Sequence, residues 1–377
     1  MGSATKTSSL LPLSRLEEIP IPKEQNRPHA RSGHRSVADA SAVYVFGGYH
    51  GDGQLLFPDV WRFDVIREEW KLIGSSDNYP TSVASSSVLL CGNSLLVFGG
   101  SGVPFGYANS NQLHLINLRT GQSKELPCTG DIPEKKYGAS MAPSQDGRLY
   151  LYGGTTGSFF NSDVHCLDLK TQVYTKLESA GKNKPEPRYR HEMVWDSKKF
   201  YVIGGSTIDQ EYRFDTIHAF DFESQLWNEC ACHPAQRDGF PNSRRFHACA
   251  KLNHMVYLSG GTSWLDVMYD DVWSLHLVTL QWTRLAVKLP VALFFHSMAV
   301  TPAGCLYIFG GCTTLAGTNR SDKMYKMWLR VPSLMEMCWL KLTKSYPRLL
   351  DVGNSKLHAL GIPLKLVNRL NQNTEAS

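Results

Sequence analysis

Val43-Tyr44-Val45-Phe46-Gly47-Gly48 is a run of branched, aromatic and aliphatic residues that stops on two glycines. A run with no polar face suits a strand covered on both sides. The glycines let the backbone turn with positive φ where a Cβ would clash. Close variants follow at Leu95 to Gly100, Leu149 to Gly154, Phe200 to Gly205, Val256 to Gly261 and Leu306 to Gly311. From one Gly-Gly pair to the next the intervals are 52, 54, 51, 56 and 50 residues. A period near 50 built from short strands is the signature of propeller blades. The expected fold is therefore all-β, a six-bladed β-propeller.

The residues around each pair repeat in one order: a basic or aromatic loop, a first strand, the Gly-Gly strand, a variable loop, a third strand, and a fourth strand near a Trp. In the first repeat these are Arg31-Ser32-Gly33-His34, the Gly-Gly strand, Val60 to Asp64, and Trp70-Lys71-Leu72. The fifth shows Arg244-Arg245-Phe246-His247, Val272 to Leu275, and Trp282 to Leu285. Repeat three has Tyr174 at the Trp place, repeat four Trp227, and repeat two departs with Ser123. The sixth repeat lacks a fourth strand, whereas Leu16 to Ile21 reads as a fourth strand without a repeat. Pairing the two closes the ring and removes exposed sheet edges. The expected organisation is a disordered lead-in over 1–14, a propeller over 15–330 with its closing strand from about 15–22, a helical tail over 331–371, and a disordered end over 372–377.

Composition narrows the function classes. Hydrophobic residues make up 42% and charged residues 19%, as in a globular chain with ample core. A formal charge of +5 with no basic tail gives no footprint for nucleic acid. Nine scattered cysteines fit reduced thiols better than a disulfide framework, so the expectation is a cytoplasmic or nuclear protein. No apolar run reaches membrane-span length, and neither a signal peptide nor a myristoylation pattern is present, so no membrane partner is expected. Cys230-Ala231-Cys232-His233 has no matching second half for zinc, and no phosphate-cradling loop or nucleophile elbow appears. The reading is of a non-enzyme without catalytic residues, cofactor or metal.

From Ser333 the apolar period changes toward 3.6. Leu334, Cys338 and Leu342 fall on one helical face, with Ser333 and Glu336 spaced as a capping box and Pro347 ending the helix. Ile362-Pro363 then opens a second helical pattern with Leu366 and Leu370 one turn apart. On periodicity alone, this tail is either a cap on the propeller or a docking element.

The repeats resemble the kelch family over roughly residues 28–330. Ser333, Leu334, Cys338 and Leu342 resemble a BC box, through which substrate receptors bind elongin C by seating a helix in an apolar groove. Ile362, Pro363, Leu366 and Leu370 resemble a cullin-2 box. The combination is similar to kelch-repeat substrate receptors of cullin-2 ubiquitin ligases. That resemblance implies elongin B/C and cullin-2 as partners, and substrates recognised by a free C-terminus, commonly ending in Gly. Ubiquitin would then reach the substrate by proximity. A kelch scaffold for a signalling or cytoskeletal protein is the alternative. Kelch-like copper oxidases are a third class, but His191, His247 and His296 read as structural anchors.

Propellers bind ligands where loops converge at the channel mouth. The loop before each first strand supplies Lys136 and Tyr137, Tyr189 and Arg190, Arg245 and Phe246, and Phe294 and Phe295 in repeats three to six. Aromatic and cationic side chains suit an extended peptide end, and arginine matches a carboxylate with two parallel hydrogen bonds. Arg190 and Arg245 are the first candidates for the carboxylate. Arg213 is the third, because related receptors carry such an arginine four residues before a hydrophobic-His pair, here Ile217-His218. Ser263 and Trp264, just past the fifth Gly-Gly, are expected to wall the pocket. Arg31, Arg188 and Arg244 recur and are read as blade-to-blade ties rather than ligand contacts.

Overall fold

The computed structural model describes residues 15–51, 55–75, 78–178 and 183–370. The segments expected to be disordered, 1–14 and 372–377, lie outside them.

Six four-position sheets surround one axis. Blade one consists of Arg35–Ala38, Ala42–Phe46, Asp59–Asp64 and Glu69–Ser75 in antiparallel order. Blade three carries an extra strand, Thr129–Gly130, parallel to Val173–Leu177. Blade six holds Ser297–Val300, Cys305–Phe309 and Met324–Trp328, and its outer position is filled from the other end of the chain by Glu17–Glu18. Ile19 N–H donates to Met324 O at 2.8 Å. The two sides of this short strand insert into different cores: Leu16 between blades five and six, Ile19 between blades six and one.

The six apolar strands lie where their composition requires. Each sends alternate side chains into two of six hydrophobic clusters, one shared with each neighbouring blade. The Trp of the fourth strand fills the outer part of these clusters: Trp70, Trp227 and Trp282 are buried, and Tyr174 takes that place in blade three. Blade two manages without it, because Leu126 and its neighbours pack against the blade-three cluster.

The Gly-Gly pairs join blades. Gly48 has φ of 94°, and a Cβ there would lie 2.8 Å from Ser32 O. The freed N–H groups reach the next blade: Gly48 donates to Val83 O, Gly100 to Lys136 O, Gly154 to Arg188 O, Gly261 to Leu293 O and Gly311 to Arg31 O, at 2.8 to 3.1 Å. Histidines tie the same seams from the side. His34 Nε2 meets Phe309 O at 3.1 Å, His191 packs edge-on against Tyr152, and His296 Nε2 meets Ser259 Oγ at 2.9 Å. The recurring arginines, expected to tie one blade to the next, instead brace their own: Arg31, Arg188 and Arg244 each donate to the first glycine carbonyl of the pair in their own repeat at 3.0 Å. Arg31 and Arg244 also pair with Asp59 and Asp271, which accept from Trp61 and Trp273.

The tail consists of α1 (Leu334–Ser345), a 3-10 turn (Pro347–Asp351), α2 (Asn354–Ala359) and α3 (Leu364–Leu370). The turn and α2 are absent from the sequence reading. These elements share a small core of Trp339, Leu357, Leu366, Val367 and Leu370, against which Ile66 of blade one also packs. Arg67 secures the contact, donating to Leu350 O at 2.6 Å and meeting Asp351 at 3.2 Å. Ile66 and Arg67 sit in the turn between the third and fourth strands. The Gly-Gly ends lie at the other end of the blades, so the tail occupies the face opposite the mouth.

Candidate functional site

At the mouth, the residue one before each anchor position has positive φ: Gly33 68°, Ser85 59°, Gly138 66°, Arg190 54°, Phe246 61° and Phe295 55°. Left-handed backbone turns their amides along the rim, and neighbours bond to one another. Ser85 donates to Gly33 O, Gly138 to Ser85 O, Arg190 to Gly138 O, Phe295 to Phe246 O and Gly33 to Phe295 O, at 2.8 to 3.1 Å. This inner ring holds the side chains above a channel that is floored by the Arg35–Glu192 ion pair, 2.6 Å long.

An arc of rings follows the rim. Centroid separations are 5.5 Å for Tyr49–Phe105, 5.1 Å for Phe105–Tyr137, 6.1 Å for Tyr137–Tyr189, 6.0 Å for Tyr189–Phe246 and 3.9 Å for the stacked Phe246–Phe295 pair. Arg190 lies inside the arc, only 5% exposed, with its guanidinium 4.5 Å from the Phe295 ring. Its Nε and Nη2 are buried without hydrogen-bond partners. Burial lowers its pKa to about 10, which leaves it charged at neutral pH. Arg245 stacks on Trp264 at 3.7 Å, with its Nε 3.8 Å from Glu211 Oε1. Neither atom of that pair finds a true hydrogen bond. Burial raises the Glu211 carboxyl above its ordinary value, and Arg245 opposes the rise. The mouth thus holds buried guanidinium donors without hydrogen-bond partners among aromatic faces, the kind of group an anion can satisfy.

Most of the mouth residues expected from sequence come together here: Arg190, Arg245, Tyr137, Tyr189, Phe246, Phe295 and Trp264. Ser263 is buried beside them, but its Oγ accepts from the backbone N–H groups of Leu265 and Val267 and so shapes the loop under Trp264. Two expectations need correction. Lys136 occupies the tie position equivalent to Arg31, Arg188 and Arg244; it is 1% exposed, its ammonium has no partner, and burial lowers its pKa to about 8. Repeats one, four, five and six carry His at the anchor, whereas repeat three carries Ala139, and without the His the expected mouth pair of that loop lies one residue too early. Arg213 is largely exposed and pairs with Asp215 at 2.9 Å, because its neighbour Phe214 takes the inward direction.

A third set of mouth residues escaped the sequence reading. The residue after each Gly-Gly pair bridges the pre-strand loop on one side and the returning variable loop on the other, as in Tyr189–Ser206–Glu211 and Phe294–Cys312–Arg320. Glu211 and Arg320 enter the mouth this way. The usable signal is that Glu211 directly precedes Tyr212, the aromatic on which the tie Arg188 stacks at 3.6 Å.

In the tail, Ser333 Oγ accepts from Glu336 N–H at 3.2 Å, half of the expected capping box. The Glu336 carboxylate instead meets Arg369 through two bonds of 2.7 and 3.0 Å, locking α1 to α3. The face of α1 turned inward is Glu336, Trp339 and Thr343. Leu334 is 73% exposed, Met337 and Cys338 are also exposed, and Leu342 turns partly toward the tail core. Leu342 is thus not on the same free face as Leu334 and Cys338. Leu366 and Leu370 are interior to the tail, with Ile362 partly so, while Pro363 is exposed. The apolar spacing of α3 therefore serves Trp339 and Leu357, which removes Leu366 and Leu370 as direct cullin-2 contacts in this arrangement.

Comparison with known proteins agrees with the propeller fold. A family profile described as the KLHDC2/KLHL20/DRC7 Kelch-repeats domain matches residues 2–205, 89–311 and 179–346. This chain belongs to the kelch-repeat family. Among kelch relatives, it is 39% identical to kelch domain-containing protein 10 of Mus musculus over 94% of this chain and 85% of the relative. It is 40% identical to the Rattus norvegicus protein of that name, over 91% of this chain and 86% of the relative. The Drosophila melanogaster homolog is 33% identical over 91% of this chain and 62% of its own length. None of these names is that of an enzyme. Among the described residues, no helix is long and apolar enough to cross a membrane.

Proposed function

We propose that this kelch protein is a substrate receptor of a cullin-2–elongin B/C ubiquitin ligase, holding the C-terminus of its substrates at the mouth. The observation that carries the reading is the division of α1 into two faces. Its inner face is committed to the tail, and its outer face bares Leu334, Met337 and Cys338 on a helix whose position is fixed by Arg369 and Trp339. An uncovered apolar strip on a rigid helix is suited to a groove in a partner. Elongin C takes Leu334 and Cys338 in this reading, with Ser333 capping the helix. Cullin-2 meets the exposed Pro363 beside Ile362. The uncommitted guanidinium groups of Arg190 and Arg245, set among rings, supply the substrate half. Nine unpaired thiols suit the reducing cytoplasm or nucleus. The chain supplies no catalytic group; its contribution is effective concentration.

The substrate half is checked with a fluorescent peptide ending in Gly with a free carboxylate. Arg190→Ala weakens binding about 10- to 100-fold, the worth of a charged hydrogen-bonding group. Its melting temperature does not fall, because the lost guanidinium was buried without partners. Arg213→Ala binds as wild type. Equal binding by wild type and Arg190→Ala removes Arg190 from the site.

A further inference from the structure

Beneath the mouth lies a second chamber that the receptor reading does not use. The Arg35–Glu192 pair joins opposite blades, one and four, and so closes the channel from above. Under it is a cavity of about 430 Å³, and Arg190, Arg245, Arg320 and the rim aromatics take no part in its lining. Its walls are the six inner strands, all running away from the mouth, so residues at equal distance from the anchor form layers. The top layer, one residue past the anchor, is polar in five blades: Arg35, Ser87, Ser140, Glu192 and Ser297. One residue further, Met141, Met193 and Met298 line the cavity. The lowest layer, four residues past the anchor, holds Ala38, Leu90, Trp195, Lys251 and Val300. These five are each half-buried, so the lower end of the chamber meets solvent on the face opposite the mouth.

Lys251 is the one ionisable side chain in that lowest layer, and among the described residues it has no ion pair. Burial lowers its pKa, and Asp196 acts in the other direction. The Asp196 carboxylate is itself held by the backbone N–H groups of Lys198 and Lys199 and by the Tyr201 hydroxyl. A half-buried ammonium without a counter-ion gains from an anion placed beside it. The top layer offers no such place, because its two charges neutralise each other. Between the two ends the wall is apolar and soft, since methionine side chains adapt to irregular shapes. From top layer to lowest is three residues, about 10 Å of strand. The volume lies within the roughly 300–1,000 Å³ of ordinary small-molecule sites.

We infer that this chamber is a binding site for a small amphipathic carboxylate, whose charged end rests on Lys251 at the lower rim and whose apolar part lies among Trp195, Leu90 and the three methionines. The ligand enters from the face opposite the mouth. The Arg35–Glu192 pair separates it from anything held above, so the two sites fill independently.

The test uses the full chain with methionine methyl groups labelled with carbon-13, titrated with decanoate below its micellar concentration and, separately, with decanol. Single Met→Leu variants assign the signals. Decanoate shifts the signals of Met141, Met193 and Met298 in wild type, and decanol shifts them only at higher concentration. Lys251→Gln weakens decanoate binding about tenfold or more, the worth of one charged hydrogen-bonding group, and leaves decanol unchanged. Lys251→Arg keeps the preference for decanoate. Melting temperatures measured alongside identify a variant that has failed to fold, and Lys251→Thr then replaces Lys251→Gln. Unmoved signals from these three methionines overturn the site. Equal binding of decanoate and decanol by wild type, or equal decanoate binding by wild type and folded Lys251→Gln, overturns the carboxylate assignment.

Discussion

Between pH 6.5 and 5 the propeller loses stability steeply, and His191→Asn flattens the slope. His34, His191, His247 and His296 lie buried at the blade seams. Burial is the main cause that lowers all four pKa values, with Arg31, Arg188 and Arg244 adding to it at the first three. His247 and His296 fall to about 3. The unfolded chain binds these protons near pH 6.5 while the folded ring refuses them, so stability is intact above 6.5 and declines as pH falls. Each histidine contributes about 1.4 kcal/mol per pH unit through that window. Four acting together amount to about 5 kcal/mol per unit, comparable with the whole stability of many domains. Both ring nitrogens of His191 lack partners, so its replacement removes a proton-linked group without orphaning another side chain. Urea unfolding at half-unit pH steps measures the slope; a flat wild-type profile across this window contradicts the account.

The second large effect is confined to the tail. Trp339 is 2% exposed at the centre of a core of only five buried residues. Truncating a buried Trp to Ala costs about 3–5 kcal/mol, more than so small a core can absorb. Trp339→Ala is expected to melt residues 334–370 while the ring keeps its wild-type melting temperature. The exposed Arg67–Asp351 contact is too weak to hold the tail by itself. Amide hydrogen exchange reads both parts at once: protection vanishes in α1 and α3 and stays in the blades. Retained protection in α1 shows that the ring, not the tail core, holds the helix.

These two effects mark what was legible in the sequence. The blades and the closing strand could be read because a Gly-Gly strand buried on both sides permits little variation. The seam histidines stand 13 residues before the first glycine of the pair in three blades and 14 before it in blade six. The inner mouth residues could be read for the same reason, except in repeat three, where Ala139 hid the register and drew Lys136 into the wrong set. Glu211 and Arg320 were hidden because they arrive on loops whose length changes from blade to blade, so no fixed offset finds them. In the tail, period 3.6 located helices but not their orientation. Leu334 and Leu366 carry the same apolar signal, yet one is bare and the other lines the Trp339 core. A spacing pattern does not say whether an apolar face is met by the same chain or by a partner.

The most direct test of the account is co-purification of the full chain with elongin B/C and cullin-2, comparing wild type with Leu334→Ser plus Cys338→Lys. Both residues are exposed, so the double variant keeps the wild-type melting temperature. The account predicts a complex with wild type and its loss in the folded variant. A wild-type chain that recovers neither elongin nor cullin-2 contradicts it and leaves the tail as a cap on a kelch scaffold, and a variant that recovers both as well as wild type contradicts the assignment of Leu334 and Cys338 to the dock.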